Sequence, residues 1–137
     1  MSANTVPSSQ QEAVRGVEHW TQKGDVRLFL FEKFLPSQEA AFAAPGAPLL
    51  LLVHGSSMSA QPTFDLQVPG RPEYSAMDHF ARRGYDVWTL DNEGYGHSDK
   101  HRDNNSDIAT GADDLEAATA YIATQRGAQP LFIYGIS

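Results

Sequence analysis

The chain contains no cysteine, few basic residues and no long hydrophobic run. Without cysteine it cannot form a disulfide framework, a zinc–thiolate site or a thiolate nucleophile, so packing must stabilise the fold. Lys and Arg number 10 against 17 Asp and Glu, and the formal net charge of −7 argues against nucleic acid as a partner. The longest apolar run, residues 48–53, is much shorter than the ~20 residues of a membrane-spanning helix, so we expect no membrane span.

What the chain does contain suits one globular domain, because 41% of its 137 residues are hydrophobic and can build a packed core. Residues 1–12 are rich in Ser, Asn, Gln and Pro and lack the basic and apolar regions of a secretory signal. We interpret residues 1–12 as a flexible tail and residues 13–137 as part of a single domain, and we expect a cytoplasmic protein.

Changes of hydrophobic periodicity predict a β-hairpin followed by alternating strands and helices. Strands that alternate with helices form βαβ units, so we predict an α/β fold with a mostly parallel sheet, an N-terminal hairpin and helices on both faces. We interpret residues 36–48 and 56–74 as connections. The predicted strands cover residues 16–21, 25–34, 49–53, 85–90 and 130–134, and the predicted helices cover residues 75–83 and 108–124.

Three predicted strand ends carry polar or glycine-rich segments, and ligands of open α/β sheets bind beyond the carboxyl ends of strands. The segments are His54-Gly55-Ser56-Ser57, residues 91–99, and Gly135-Ile136-Ser137. Together they resemble the N-terminal half of the α/β-hydrolase superfamily over nearly the whole chain. The Gly-Tyr-Gly-His-Ser-Asp run at 94–99 and the helix that holds Asp-Asp-Leu at 113–115 look most like the monoacylglycerol-lipase and esterase branch.

The last segment matches the first three positions of the Gly-x-Ser-x-Gly nucleophile elbow, directly after a predicted strand. Small residues flank the serine because the strand-to-helix turn is tight, and Gly135 fits that need. The resemblance implies that Ser137 is the nucleophile of a serine hydrolase that needs no cofactor and cleaves a carboxylic ester or a related small-molecule acyl substrate through an acyl-enzyme. An ordinary turn serine is the alternative.

The resemblance also implies an oxyanion hole in the loop after the His-Gly pair. Ser56 is our first candidate for its backbone N–H group and Ser57 the second, whereas a plain polar loop is the alternative. Gly55 allows a close turn. Along the superfamily's chain the order is nucleophile, acid and histidine, which places the catalytic acid and histidine beyond Ser137 and gives His54 a structural role within the turn.

Residue 93 departs from the family pattern. Many relatives have an arginine just before the first glycine of this loop, and this chain has Glu93. The change is either an altered loop contact or drift.

Other groups of polar residues give weaker signals. Four side chains alternate as metal ligands do on an extended segment, but charged turn-rich loops are usually solvated, so we expect no metal. The motif at 94–96 lacks the rest of a dinucleotide fingerprint, so no nucleotide cofactor is implied. Two adjacent aspartates fit a solvated helix face or a complement to the helix dipole, and two further histidines fit surface or packing positions. These groups are His97, Asp99, His101 and Asp103, then Asp113 and Asp114, then His19 and His79.

The last predicted strand needs neighbours on both edges and helices on both faces. We therefore expect the C-terminal half of the same fold as a partner, in a separate chain or outside these 137 residues. Three alternatives remain open: a non-catalytic binding protein on this scaffold, a hydrolase of C–C, amide or lactone bonds, and an inert fragment. The sequence leaves the oligomeric state open.

Overall fold

The structure is a computed structural model, and it describes residues 12–55, 59–100 and 108–136, without the side chains of residues 72 and 108. Five strands form one sheet in the order β1-β2-β4-β3-β5. The strands are β1 (Arg15–Lys23), β2 (Val26–Phe34), β3 (Leu49–Val53), β4 (Asp86–Asp91) and β5 (Phe132–Gly135).

The first two strands form the predicted hairpin, in which Lys23 pairs with Val26 across a two-residue turn. Gly24 has a φ of +59° there, a conformation that glycine adopts without a steric penalty. The hairpin is joined to the sheet by antiparallel pairing of β2 with β4. Strands β4, β3 and β5 are parallel to one another, so the sheet is mixed and its parallel part lies beyond the hairpin.

Helices cover both faces of the sheet. The α-helices are α1 (Ala60–Phe64), α2 (Ala76–Ala81) and α3 (Ile108–Arg126), and the 3-10 segments are Pro36–Ala43 and Pro72–Tyr74. On one face, α3 packs through Ala118 and Ile122 against a core that includes Trp88. On the other face, α1 and α2 pack against side chains of β3 and β4. The predicted α/β fold with helices on both faces is confirmed.

Helix α1 lies in a segment predicted as loop. It has five residues, including Pro62 in its first turn, which is too short for a periodic pattern. Burial of Ala60 and Phe64 stabilises it through tertiary contacts. The bounds of the other predicted helices and strands agree with the observed ones to within two residues, a difference that is common at the ends of helices and strands.

Strand β5 is exposed on both faces and pairs with one neighbour, β3. Phe132, Ile133 and Tyr134 are 69%, 49% and 57% exposed. Beside β5, an apolar groove of about 500 Å³ is lined by residues that include Leu52, Phe80 and Tyr134. Among the described residues, this strand therefore presents apolar surface that has no covering element.

None of the helices in the described ranges combines the length and the hydropathy that crossing a membrane requires.

Candidate active site

The carboxyl ends of β3, β4 and β5 meet at one edge of the sheet. Val53 pairs with Leu90 of β4 on one side and with Gly135 of β5 on the other. Because the three strands are parallel, the segments that follow them leave the sheet together, as in other α/β folds that bind ligands at this edge. We refer to this region as the candidate active site.

His54, the residue after β3, is buried and 4% exposed. Its Nε2 accepts a hydrogen bond from the backbone N–H of Asn92 at 3.0 Å. Because an N–H group can only donate, Nε2 carries no proton, and Nδ1–H donates to the Gly55 carbonyl at 2.7 Å. Both ring nitrogens are thus bonded to backbone, and the ring ties the end of β3 to the turn after β4.

Asp91, the last residue of β4, holds two chain segments through its buried carboxylate. Oδ1 accepts the N–H of Ala60 at 2.9 Å, at the start of α1. Oδ2 accepts the N–H of His97, also at 2.9 Å. Gly96 lies so close that a Cβ there would be 2.3 Å from Oδ2. Asp91 is not among the site residues predicted from the sequence, although its position at a strand end before a Gly-x-Gly turn is a usable signal.

Ser98 attaches the same turn to the hairpin. Its hydroxyl donates to the Asp91 carbonyl and accepts the N–H of Phe29 at 2.8 Å. Asp99 adds a second link, because its carboxylate accepts the N–H of Arg27 at 2.7 Å. The turn after β4 is therefore bonded to both β2 and β4.

Glu93 lies in a buried ion-pair cluster with Lys23 and Asp114. Lys23 Nζ donates to Glu93 Oε1 at 2.8 Å and to Asp114 Oδ1, and the other oxygen of Asp114 accepts the backbone N–H of Glu93 at 2.9 Å. Burial alone would lower the pKa of Lys23, but the bonds to the two carboxylates raise it. Of the two explanations for the departure at residue 93, the altered loop contact is the one this geometry supports.

The expectation of a solvated face is wrong for Asp114, whose exposure is 0%. The complement to the helix dipole is also wrong, because α3 begins at Ile108 and has no acidic residue in its first turn. Asp114 faces the hairpin and the turn after β4, where its charge is paired. Asp113, by contrast, is exposed.

The predicted catalytic residues lie at the limit of the described structure. Ser56, Ser57 and Ser137 are outside the described residues, and their roles stay predictions. Gly135 and Ile136 are described: the N–H of Ile136 donates to the Val53 carbonyl at 3.2 Å, which continues the parallel pairing beyond β5.

The alternating residues, for which the sequence predicts no metal, form no group of ligands in the described part of the chain. His101 and Asp103 lie outside it, and His97 Nδ1 is 3.4 Å from Asp91 Oδ2. Within residues 12–55, 59–100 and 108–136, no three His, Asp or Glu side chains are placed to hold a metal ion.

A second buried cluster lies at the opposite edge of the sheet. Arg126 donates to Glu32 Oε2 at 2.6 Å and to Asp86 Oδ2 at 3.0 Å. His19 joins it through Nε2 at 2.9 Å from Glu32 Oε1 and Nδ1 at 2.8 Å from the Tyr121 hydroxyl. His19 is therefore a packing residue, as the sequence analysis predicted.

In this second cluster, the pKa values of Asp86 and His19 differ from their ordinary values. Burial, hydrogen bonding to Glu32 and the charge of Glu32 together raise the pKa of Asp86 to about 8. Burial and the positive charge of Arg126 lower the pKa of His19. Because Asp86 begins β4 and Asp91 ends it, this cluster stabilises the fold away from the candidate active site.

Comparison of the sequence with protein families gives a match over residues 70–137 to a family described as serine aminopeptidase, S33. The matched range includes the whole turn after β4, α3 and β5. A comparison with curated proteins gives no match.

Three solved structures illustrate the fold that this chain shares with known proteins. An esterase from Pyrococcus furiosus is 16% identical with a TM-score of 0.60, and the superposition covers 98% of this chain and 44% of the esterase. A bacterial membrane phospholipase A is 23% identical (TM-score 0.57; 89% and 32% covered), and a protein from Thermoplasma acidophilum described as a predicted CIB-like hydrolase is 20% identical (TM-score 0.55; 91% and 52% covered). The chain therefore spans about a third to a half of the structures it resembles.

Proposed function

We propose that the chain forms the nucleophile-bearing half of a serine hydrolase of the α/β-hydrolase superfamily, one that needs no cofactor; the family match over residues 70–137 and the fold shared with solved hydrolases support this. Its substrate is a small molecule with an acyl bond. The matched family is described as a serine aminopeptidase, and two similar structures are an esterase and a phospholipase A. We propose an ester as the substrate and an amide as the second candidate.

The observation that carries this proposal is the backbone geometry after β5. Gly135 and Ile136 run beside Val53 through the 3.2 Å hydrogen bond of the Ile136 N–H group. Ser137 is the next residue, and a serine that directly follows a parallel strand at this edge fits a nucleophile elbow. The His54-Gly55 segment, which leads to the predicted oxyanion residues, leaves the sheet from the adjacent strand end.

In the proposed reaction, Ser137 Oγ attacks the substrate carbonyl while a histidine takes its proton. The backbone N–H of Ser56 or Ser57, together with that of the residue after Ser137, donates to the oxyanion of the tetrahedral intermediate. The leaving group departs with the proton held by the histidine. Water then adds to the acyl-enzyme, the acid product leaves, and Oγ recovers its proton.

We propose that the remaining part of the fold supplies the histidine and its acid and covers β5. Two observations support this: the matched structures are two to three times as long as the region they share with this chain, and both faces of β5 are apolar and exposed. An uncovered parallel edge strand is unfavourable in water.

The test is labelling with a fluorophosphonate probe, which reacts with activated serines. The protein is purified under native conditions with any chain that remains bound, and its intact mass is measured before and after labelling. We expect one adduct, which peptide mapping places on Ser137. Ser137→Ala removes both the adduct and ester hydrolysis.

Ser59→Ala is the matched control, because Ser59 makes no side-chain cap bond at the start of α1 and is expected to keep full labelling. Absence of an adduct on a protein that contains the whole fold would instead favour the non-catalytic binding protein. Hydrolysis retained by Ser137→Ala would contradict the assignment of the nucleophile.

A further inference from the structure

We propose that Lys23, in the hairpin, is a positioning residue for the candidate active site. It acts through Glu93 and Asp114, which hold the turn after β4, and that turn orients His54. The effect on catalysis rests on the proposed function, whereas the effect on His54 does not.

The ion-pair cluster is largely shielded from water. The side chains of Lys23, Glu93 and Asp114 are 15%, 5% and 0% exposed. Charge-assisted hydrogen bonds are strong and directional where water is excluded. The cluster therefore fixes the relative positions of three segments that are distant in sequence: the hairpin turn, the turn after β4, and α3.

A hydrogen bond to Asp114 connects the cluster to the backbone of the turn after β4. Asp114 Oδ2 accepts the N–H of Glu93 at 2.9 Å, and the preceding N–H, that of Asn92, donates to His54 Nε2 at 3.0 Å. Consecutive peptide groups are rigid planes that share one Cα atom, so a displacement of one moves the other. Releasing the Glu93 amide therefore loosens the bond that Asn92 makes to the imidazole ring.

The bond from Asn92 determines the tautomer and the orientation of the His54 imidazole ring. The Asn92 bond keeps Nε2 unprotonated, so that Nδ1–H donates to the Gly55 carbonyl at 2.7 Å. A ring without this bond changes its tautomer and orientation, and the His54-Gly55 peptide at the sheet edge loses its support. Displacements of about 1 Å near reacting groups lower rates by up to ~10²-fold.

The chain contains a matched control for this network. Lys33 is buried to a similar degree, at 13% exposed, and its Nζ donates to Asp65 at 2.8 Å and Asp78 at 2.9 Å. Bonds to these two carboxylates raise the pKa of Lys33 against the effect of burial, as in the cluster of Lys23. The carboxylates that it binds belong to the segment after α1 and to α2, not to the turn after β4.

The experiment compares Lys23→Met with Lys33→Met in the natively purified protein. We measure kcat and KM for p-nitrophenyl acetate and the ¹⁵N chemical shifts of the His54 ring. For Lys23→Met we expect kcat to fall about tenfold, KM to stay within about twofold, and the His54 nitrogen shifts to change. For Lys33→Met we expect neither change, despite a similar loss of stability. Lys23→Arg, which keeps the positive charge, is expected to restore the His54 signals and most of kcat.

Unchanged His54 signals in folded Lys23→Met would overturn the proposal and leave the cluster with a structural role only. Equal losses of kcat in the two methionine variants would also overturn its catalytic part. If the wild-type protein hydrolyses no ester, the proposed ester substrate is contradicted, and the His54 signals still decide the positioning role. If Lys23→Met does not fold, Glu93→Gln replaces it and is expected to give smaller changes in the same direction; no change there contradicts the proposal.

Discussion

Gly96 and Asp91 are in a contact that leaves no room for a side chain. Gly96 has a φ of +54°, and an added Cβ would overlap the Asp91 carboxylate at 2.3 Å. The left-handed conformation alone costs about 1–2 kcal/mol for a residue with a Cβ, and the overlap adds to it. We expect Gly96→Ala to lower the free energy of unfolding by more than about 2 kcal/mol, measured by urea denaturation.

Gly94→Ala is the control for that substitution. Gly94 also has a positive φ, +91°, but nothing lies within 4 Å of the position where its Cβ would be. It tests the cost of the backbone conformation without the overlap, so its loss of stability should be clearly smaller. Equal losses in the two variants would show that the contact with Asp91 is not what requires glycine at position 96.

Asp86 makes the stability of the protein depend on pH. Its pKa is raised from 3.8 to about 8, first by burial and then by Glu32, so the native state binds a proton that the unfolded chain has already lost. The stabilisation from this proton is complete below pH ~4 and is lost as the pH rises to about 8. We expect the free energy of unfolding to decrease between pH 6 and pH 9 in denaturant titrations.

Asp86→Asn provides the check, because the amide resembles the protonated carboxyl and does not titrate. It can still accept from Arg126 and from the Trp88 indole, which donates to Asp86 Oδ2 at 2.8 Å. We expect the variant to lose most of the decrease in stability between pH 6 and pH 9. A variant whose pH dependence matches that of the wild type would assign the effect to other groups.

At the scale of elements, most of the fold could be predicted from local patterns. The run at Leu49–Val53 is apolar on both faces, which is typical of a strand covered on both sides, and its predicted bounds match β3. The turn at Gly24 and the N-cap Ser75, whose hydroxyl accepts the Asp78 N–H at 3.0 Å, are also signals within a few residues. Helix α1 could not be predicted, because Asp91, 31 residues away, holds its first N–H group.

In the candidate active site, even more of the structure depends on contacts between residues that are distant in sequence. The positions of the strand ends and the residues of the motifs follow from the sequence, because glycine and serine at a strand end are local signals. The partners of Glu93 do not, since Lys23 and Asp114 are 70 and 21 residues away from it. A single sequence does not show which buried carboxylate forms an ion pair with which cation.

Arg126 attaches the last turn of α3 to the sheet. It donates to the buried carboxylates of Glu32 and Asp86, and its own side chain is 12% exposed. Removal of one member of a buried ion pair leaves an uncompensated charge and costs about 3–5 kcal/mol. We expect Arg126→Met to destabilise the protein by that amount and to increase hydrogen exchange in α3.

Arg83→Met is the control, because Arg83 is exposed and donates to the His79 carbonyl one turn away. We expect a change of less than about 0.5 kcal/mol. Adding Glu32→Gln to Arg126→Met should recover part of the loss, since it removes the unpaired charge. No recovery would indicate that the packing of the arginine over the rings of Phe34 and Phe42 accounts for the effect.

For the whole molecule, β5 sets the tendency to associate. Phe132 and Tyr134 border the groove of about 500 Å³, and the outer edge of β5 pairs with no other strand of the described ranges. Such surfaces drive association. We expect the chain of 137 residues alone to self-associate as its concentration rises, and Phe132→Thr with Tyr134→Thr to reduce this in sedimentation velocity experiments.

Leu66→Thr is the control for association, because Leu66 is a 48% exposed apolar residue that does not line the groove beside β5. It should leave the sedimentation behaviour unchanged. If it reduces association as much as the β5 variant does, general surface hydrophobicity rather than the uncovered strand is responsible. The proposed remaining half of the fold, when present, should suppress association in the same way as the threonine substitutions.

The two buried lysines also determine how the protein reacts with acylating reagents. The chain has three lysines. Lys23 and Lys33 each form ion pairs with two carboxylates, and the pKa of each of these two lysines is raised. Acylation needs an unprotonated, accessible amine, so Lys100, which is exposed, is the lysine available for modification. Reagents that acylate lysine would therefore modify the native protein at the turn after β4, next to the candidate active site. Thiol chemistry at an introduced cysteine is the better way to tether this chain.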